Sequence, residues 1–225
     1  MAQATIEQIL GATEDQLQSL LLRRRTTKDV FRIPGNVEDV TKLITASLKA
    51  EIKFRRGTYH EAPEQLSYIR QVAEWLTSQD RQFGLLICGR CGNGKTTLMR
   101  AVCRAINLLN LKDVYGEDWN IISLSAKQLA RMSKQRDLYD KYRAIFKAKM
   151  VAVDDVGFEP CEVLDFGNVV NPVIDLMEQR YDEQLFTMLT TNLTPDQIKE
   201  RYGERISDRF NEMMKKIVFT NSSFR

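Results

Sequence analysis

A glycine-rich loop that ends in lysine and threonine lies between an apolar run and an amphipathic stretch. It reads Gly89-Arg90-Cys91-Gly92-Asn93-Gly94-Lys95-Thr96-Thr97. Glycines let a backbone curl until its N–H groups point at one phosphate, and a helix that follows adds a partial positive charge. The G-x-x-x-x-G-K-T spacing is that of a P-loop, and it predicts a phosphate-binding strand, loop and helix.

The residues of this loop have separate predicted tasks. We expect Lys95 to reach the β- and γ-phosphates of a nucleotide and Thr96 to place its hydroxyl on Mg²⁺, whereas Thr97 is a secondary contact. The residues predicted to line the nucleotide are Gly89, Gly92, Asn93, Gly94, Lys95, Thr96 and Thr97. The competing interpretation, an ordinary glycine-rich turn, is weaker because strand and helix patterns flank the loop on the correct sides.

The four cysteines also admit two interpretations. Cys88 and Cys91 have the C-x-x-C spacing of redox and zinc sites, but Cys103 and Cys161 are isolated and supply no second pair. Since Cys88 ends an apolar run and Cys91 occupies a variable loop position, we predict four free thiols.

Length and composition indicate one globular unit. The 225 residues are 43% hydrophobic, enough for a full core with a small appendage. The net charge of +3 is too small to indicate a nucleic-acid partner. No apolar run approaches the roughly 20 residues that span a bilayer, and no secretory signal is visible. We therefore expect a cytoplasmic protein without a membrane partner.

The first 60 residues are predicted to form helices without a strand. Thr13 and Gln16 have the spacing of a capping box, and Asn36 is placed to cap a second helix. A segment this short lacks its own core, so it must pack on the main domain or bind a partner. The predicted division is a helical N-terminal segment at 1–60 and a main domain at 61–225.

From residue 85 onward, apolar runs alternate with amphipathic stretches. The runs cover residues 85–88, 119–124, 150–153, 185–191 and 216–220. This alternation predicts an α/β fold in which helices flank a parallel five-stranded sheet. Pro63, Pro172 and Pro195 each mark the first turn of a predicted helix.

Two of the predicted strands end in polar residues that suit a magnesium–phosphate site. Asp154 and Asp155 follow the run at 150–153, and Asn192 follows the run at 185–191. We expect Asp154 to hold Mg²⁺, Asp155 to act as the base or to orient the attacking water, and Asn192 to bind a water or the γ-phosphate. The simpler interpretation of Asn192 is turn chemistry ahead of the next helix.

The order of these elements from about residue 66 onward resembles the AAA+ ATPases, and among them the DnaC/IstB branch of helicase loaders and transposition helpers. Three further segments carry the resemblance, namely Thr191-Asn192, Gly203-Glu204-Arg205-Ile206-Ser207-Asp208-Arg209 and Ser223-Phe224-Arg225. Asp155 departs from the glutamate that is usual in this branch, which predicts slow hydrolysis.

The resemblance implies a P-loop NTPase of the AAA+ type that binds ATP and Mg²⁺ and forms an ATP-dependent homo-oligomer. It implies a strand order that places the Asn192 strand between the P-loop strand and the Asp154 strand. Arg209 would be an arginine finger that reaches the neighbouring subunit's nucleotide, and Arg225 would contact nucleotide in the sensor-2 role. The implied function is that of an ATP-hydrolysing helicase loader that binds single-stranded DNA and acts on a replicative helicase.

Three alternatives to that function stay open. An IstB-like protein would act on a transposase instead of a helicase. A nucleotide-gated binding module would use ATP to order itself for a partner, with incidental turnover. A small-molecule phosphotransferase is the least favoured, because it would need an arginine-rich lid over the acceptor.

Residues 126–149 hold eight basic side chains against two acidic ones, with aromatic residues between them. Basic groups that neutralise phosphates and aromatics that stack on bases are the components of a single-strand groove. We predict that Lys141, Arg143 and Lys147 contact DNA. The alternative is an amphipathic helix whose aromatic residues pack on the sheet and whose lysines are solvated.

Overall fold

A computed structural model describes residues 11–24, 31–78, 82–113, 115–160, 163–165 and 168–221. Five parallel strands form the main sheet: β1 (Gly84–Gly89), β2 (Ile121–Ser125), β3 (Met150–Val156), β6 (Phe186–Thr191) and β7 (Met214–Phe219). Their order is β2-β3-β6-β1-β7. The predicted five-stranded sheet is confirmed, and β6 lies between β1 and β3 as the resemblance implied.

Two short strands after β3 were not predicted. β4 (Val163–Asp165) and β5 (Asn168–Val170) pair antiparallel with each other and form a separate two-stranded sheet. Strands of three residues carry too few side chains to show a periodic pattern.

Helices cover both faces of the main sheet. Successive residues of a strand point to opposite faces, so apolar side chains must be buried on both. Leu85 and Ile87 of β1 belong to one buried cluster, and Leu86 between them belongs to the other. The first cluster draws on α2 (Val37–Phe54), α3 (Pro63–Thr77) and α4 (Lys95–Leu108). The second draws on α5 (Ala126–Lys134), α6 (Tyr139–Lys147), α7 (Pro172–Asp182), α8 (Pro195–Tyr202) and α9 (Glu204–Met213). A 3₁₀ turn at Arg136–Leu138 joins α5 to α6.

Several helices begin at polar capping residues, and Thr13 and Asn36 were predicted to be among them. In α1 (Glu14–Arg24), Thr13 and Gln16 exchange the two bonds of a capping box. Asn36 accepts the backbone N–H of Asp39 at the start of α2. Asn171 caps the helix that begins at Pro172. These polar side chains satisfy N–H groups that a helix leaves without partners in its first turn.

Helix α2 packs on the P-loop helix α4. Val40, Ile44 and Leu48 of α2 are buried in the cluster that also contains α3 and α4. Glu51, 1% exposed, accepts Arg55 Nε at 2.9 Å and lies 3.1 Å from Arg104 Nη1 on α4. This part of the N-terminal segment is therefore packed on the sheet, and the predicted boundary near residue 60 stays a prediction.

A buried arginine joins α7 to the sheet. Arg180 is 0% exposed and donates to the carbonyl oxygens of Ala148, Lys149 and Phe186 and to the Thr187 hydroxyl at 2.6–3.3 Å. Burial lowers the pKa of its guanidinium to about 9, so the group remains charged at neutral pH. Four acceptors thus replace water around this cation.

Of the helices in the described ranges, none combines the length and the apolar character that a membrane crossing requires.

Candidate functional site

The P-loop joins the end of β1 to the start of α4 and packs against β7. A Cβ added to Gly89 would lie 2.5 Å from the carbonyl oxygen of Phe219, so only glycine allows this approach. Gly94 precedes α4 with φ +93°, a left-handed conformation that glycine adopts without strain. The spacing of the glycines thus follows from the turn that the backbone makes.

Lys95 is folded onto its own loop. Its ammonium donates to the carbonyl oxygens of Gly89 and Arg90, both at 2.7 Å, and to Asn93 Oδ1 at 3.1 Å. Burial lowers the pKa of Lys95, and the neighbouring acidic groups, with Asp155 foremost, partly offset that shift. A phosphate in the loop would replace these carbonyl contacts with charge-assisted ones.

Two hydroxyls hold one oxygen of the buried carboxylate Asp154. Thr96 Oγ1 donates to Asp154 Oδ1 at 2.9 Å, and Thr190 Oγ1 donates to the same oxygen at 2.6 Å. The predicted partners Thr96 and Asp154 therefore lie together although 58 positions separate them. Asp154 Oδ2 is left facing Arg100, whose Nη2 is 3.8 Å away.

Asp155 occupies an irregularity at the end of β3. The register of β3 against β6 shifts between Val153 and Val156, and Asp155 has φ +55°. Its backbone N–H donates to Thr190 Oγ1 at 2.9 Å. Aspartate tolerates the left-handed region better than most residues, and a bulge re-aims the side chain it carries. The left-handed backbone conformation at this position therefore favours aspartate over most other residues.

These residues line a cavity of 1020 Å³. Its P-loop and strand-end wall consists of Cys91, Gly92, Asn93, Gly94, Lys95, Thr96, Thr97, Arg100, Asp154, Asp155, Phe158 and Asn192. The part of the chain that the structure describes has no cluster of three His, Cys, Asp or Glu residues for a metal. One carboxylate and one hydroxyl suit Mg²⁺, which keeps several waters and takes its other oxygens from phosphates.

Asn192 has a polar atom left for a ligand. Its Oδ1 is buried and accepts no hydrogen bond from the described residues, although the side chain lines the cavity. A buried amide oxygen without a partner is costly unless a water or a ligand satisfies it. This atom supports the fit of a hydrated phosphate group at the site.

The opposite wall of the cavity was not predicted. It is formed by the end of α2 and the link to α3, through Ile52, Arg55, Gly57, Thr58, His60 and Gln65. Gln65 Oε1 is buried and accepts no hydrogen bond from any described residue. No motif marks this wall, because its residues are placed by the packing of α2 on α4.

A buried glutamate ties the loop after β3 to α8. Glu159 accepts the backbone N–H of Gly157 at 2.9 Å and the hydroxyl of Tyr202, and Arg201 lies 3.5 Å from its carboxylate. Burial and the adjacent carboxylate raise the pKa of Tyr202, which keeps its hydroxyl protonated. The Asp155 loop is thus anchored to the helix that precedes Arg209.

Arg209 does not line the cavity of its own P-loop. Its side chain, 12% exposed, lies 3.2 Å from Glu178 and 3.5 Å from Asp182, and its guanidinium is 4.8 Å from the centre of the Tyr181 ring. Arg205, one turn earlier, is 74% exposed. The predicted finger is therefore held by its own subunit in this conformation.

Two of the aromatic residues in the basic stretch are buried. Tyr142 and Phe146 belong to the second core cluster, so their rings are not available to stack on bases. Lys141, Arg143 and Lys147 are exposed on α6. The buried rings of Tyr142 and Phe146 agree with the amphipathic-helix interpretation. The DNA contacts of the exposed Lys141, Arg143 and Lys147 stay a prediction.

Two predicted features lie outside the described residues. The segment Ser223-Phe224-Arg225, whose arginine is predicted to contact nucleotide, is one of them, and Cys161 is the other. The remaining cysteines Cys88, Cys91 and Cys103 are free thiols, and burial raises the pKa of Cys103 to about 12.

Thr190→Val is expected to weaken metal binding, because it removes the hydroxyl that holds both Asp154 and the backbone of Asp155. Residues that orient metal ligands typically contribute about 10- to 100-fold to affinity. The measurement is the Mg²⁺ concentration that half-saturates the complex with a non-hydrolysable ATP analogue. Thr190→Ser keeps the hydroxyl and serves as the matched control. A valine variant with the Mg²⁺ dependence of the serine variant would contradict the role of this hydroxyl.

The chain is similar in sequence to a curated protein and similar in fold to several solved structures. No protein-family model matches the chain. It is 23% identical over 171 residues to the replicative helicase loader DnaI of Bacillus subtilis (strain 168), a match that covers 72% of this chain and 53% of DnaI. The chain thus spans about half the length of the curated relative it matches.

Solved structures share the fold. The DnaC helicase loader matches with a TM-score of 0.55 at 20% identity, over 72% of this chain and 94% of that chain. DnaI matches with a TM-score of 0.56 at 21% identity, over 82% and 93%. The replication initiator DnaA bound to AMPPCP and single-stranded DNA gives 0.51 at 14% identity, over 73% and 48%. The sequence match and the shared fold together confirm the resemblance to the DnaC-like helicase loaders of the AAA+ family.

Proposed function

We propose that the protein binds ATP with Mg²⁺, hydrolyses it slowly, and uses the cycle to load a replicative helicase. The observation that carries this proposal is the Thr96–Asp154–Thr190 cluster, because its Thr96 and Asp154 line a cavity of 1020 Å³ together with Lys95. A phosphate-binding loop next to one oriented carboxylate is the arrangement that a magnesium nucleotide requires.

The residues divide the chemistry between them. Lys95 and the P-loop N–H groups would bind the phosphates, while Thr96 and Asp154 would hold Mg²⁺, which would neutralise the charge that develops on the phosphoryl oxygens. Asp155 takes the proton of the attacking water, and Asn192 orients that water through its amide. Aspartate is one methylene shorter than glutamate, so its reach to the water is shorter and turnover is slow.

The wall from α2 and α3 is the proposed site of the adenine. Gln65 offers a buried amide oxygen, which can accept the exocyclic N–H of adenine and has no such donor to meet in guanine at that position. Ile52 lies on the same wall and supplies apolar contact with the ring. We therefore assign adenine binding to Gln65 and Ile52, although no sequence motif contains either residue.

The proposed partners are a replicative helicase and single-stranded DNA. The similarity to DnaI, a replicative helicase loader, supports the first. The exposed Lys141, Arg143 and Lys147 support the second. A pull-down of the host's replicative helicase and transposases with the ATP-bound protein tests this assignment. Retention of the helicase supports it, whereas retention of a transposase alone would favour an IstB-like helper.

One observation favours a second candidate, the nucleotide-gated binding module. Arg209 is engaged by Glu178 and Asp182 of its own subunit, so in this conformation its charge is not available to stabilise the transition state. In such a module, ATP would order the protein for its partner without useful turnover. The two candidates differ in whether Arg209 is released when subunits assemble.

Arg209→Ala and Lys95→Ala are each expected to abolish turnover alone and to restore it when mixed. In a mixed assembly, some interfaces pair an intact P-loop with an intact arginine, and the negative charge on the phosphoryl group requires both. The measurement is ATPase activity against mixing ratio. Arg70→Ala, which removes an exposed arginine that does not line the cavity, is the control variant and should retain activity. If co-assembled variants recover nothing, Arg209 does not act in trans.

A further inference from the structure

A second cavity adjoins the nucleotide cavity at the carboxyl end of β2. It has a volume of 730 Å³ and is lined by Arg100, Ser123, Leu124, Ser125, Lys127, Gln128, Arg131 and Asp154. Arg100 and Asp154 line the nucleotide cavity as well. The two cavities therefore share one wall, and that wall contains the proposed metal ligand.

The second cavity is positively charged. Lys127 and Arg131 are exposed on α5, and neither forms an ion pair with a residue in the described ranges. Together with Arg100 they outnumber the single carboxylate, Asp154, whose Oδ1 is already engaged by two threonine hydroxyls. Guanidinium groups match phosphate oxygens in geometry and charge, and serine hydroxyls add neutral donors. This lining suits a phosphate group.

Arg100 connects the two cavities. Its Nη2 lies 3.8 Å from Asp154 Oδ2, the oxygen that the threonine hydroxyls leave available for metal, and its side chain is 46% exposed. A guanidinium beside that oxygen repels a divalent cation and competes for the carboxylate. An anion in the second cavity would attract Arg100 and add negative charge near the metal position. Both effects favour Mg²⁺.

We propose that the second cavity binds a phosphate group and that Arg100 couples its occupancy to metal binding at Asp154. The inference rests on the proposed nucleotide site and adds a regulatory ligand to it. Coupling between two binding sites is reciprocal, so bound Mg²⁺ also strengthens anion binding. The phosphate chemistry is shared by the backbone of single-stranded DNA and by inorganic phosphate.

The first test measures the affinity for a short fluorescent oligothymidylate, with the P-loop saturated by AMPPCP and Mg²⁺. Lys127→Ala/Arg131→Ala is expected to weaken binding by about tenfold or more, because it removes two charge-assisted contacts. The matched control is Lys42→Ala/Lys215→Ala, which removes two exposed charges that line neither cavity. Equal affinities of the two double variants would overturn the site.

Inorganic phosphate then distinguishes the two sources of the anion. If millimolar phosphate displaces the oligonucleotide from the wild type more than chloride does, the cavity binds free phosphate groups. Retention of the oligonucleotide in phosphate assigns it to a phosphodiester chain. Chloride at equal ionic strength is the control.

The second test measures the coupling through the Mg²⁺ concentration that half-saturates the AMPPCP complex. We expect oligonucleotide to lower this concentration by about fivefold in the wild type and to leave it unchanged in Arg100→Met. The same reduction in both proteins would overturn the role of Arg100. If AMPPCP does not bind at all, the proposed function fails, and the oligonucleotide affinities of the nucleotide-free protein still decide whether the second cavity binds phosphate.

Discussion

Replacing Lys95 with alanine is expected to weaken ATP binding by at least about tenfold. A hydrogen bond to a charged group contributes about 1.5 to 3 kcal/mol, and Lys95 is placed to make such bonds with two phosphates. Part of this gain is offset, because Lys95 must first release the carbonyl oxygens of Gly89 and Arg90. Calorimetric titration with AMPPCP and Mg²⁺ measures the change directly.

Lys215→Ala is the control for this experiment. Lys215 is an exposed lysine on β7 that lines neither cavity, so its removal changes the net charge by the same amount. Equal affinities in the two variants would show that the loop does not hold the phosphates. Weaker binding in Lys95→Ala alone would locate the phosphates at the P-loop.

Replacing Arg180 with methionine is expected to lower the free energy of unfolding by about 3 kcal/mol. The substitution removes the donor from three carbonyl oxygens and from Thr187 in a part of the protein that water does not reach. Each buried polar group left without a partner costs about 1 to 3 kcal/mol, and the loss is partly offset because a buried cation is no longer desolvated. Urea unfolding measures the change.

Arg70→Met separates this effect from the loss of any arginine. Arg70 is 62% exposed and pairs only with exposed glutamates among the described residues, so its replacement should change stability by under about 0.5 kcal/mol. Similar unfolding midpoints for the two variants would mean that the four bonds of Arg180 contribute little to the fold.

The sequence predicted the parts of the site that depend on local pattern. A strand, a glycine-rich loop and a helix occur in one continuous stretch, and Lys95 and Thr96 open the helix as the P-loop pattern predicts. Their contacts with nucleotide and metal stay predictions. Asp154 and Thr96 were both predicted to hold Mg²⁺, and the hydrogen bond between them is compatible with one shared site. The apolar runs predicted the five strands of the main sheet, and the resemblance placed the Asn192 strand between the P-loop strand and the Asp154 strand, as observed.

The missing parts depend on contacts between distant segments. Thr190 is an internal residue of an apolar strand, and only the register of β6 against β3 brings its hydroxyl to Asp154. Arg180 shares a helix face with the buried Leu176 and Met177, but only the fold brings acceptors from distant segments to its guanidinium. Gln65 reaches the cavity because α2 and α3 pack beside the P-loop helix. None of these relations is encoded in a short motif.

The contacts of Arg209 within its own subunit were also not predictable from the sequence. The sequence places it in a segment that resembles the finger-bearing one, but its contacts with Glu178, Asp182 and Tyr181 arise from the packing of α9 on α7. An arginine finger needs two sets of partners, one on the neighbouring subunit where it acts and one on its own subunit when it is not engaged there. Only the second set is visible in one chain.

The most direct test of the central claim is steady-state ATPase activity of the wild type and of Asp155→Asn, each with bound ATP measured in parallel. Asparagine preserves the size of the side chain and tolerates the left-handed backbone at φ +55°, but it cannot accept the proton of the attacking water. We expect Mg²⁺-dependent turnover in the wild type, a loss of about 100-fold or more in Asp155→Asn, and equal ATP affinity. Absence of turnover in the wild type with ATP bound would contradict the account and leave a nucleotide-gated binding module. Equal, measurable turnover in both proteins would contradict the role of Asp155 as the base.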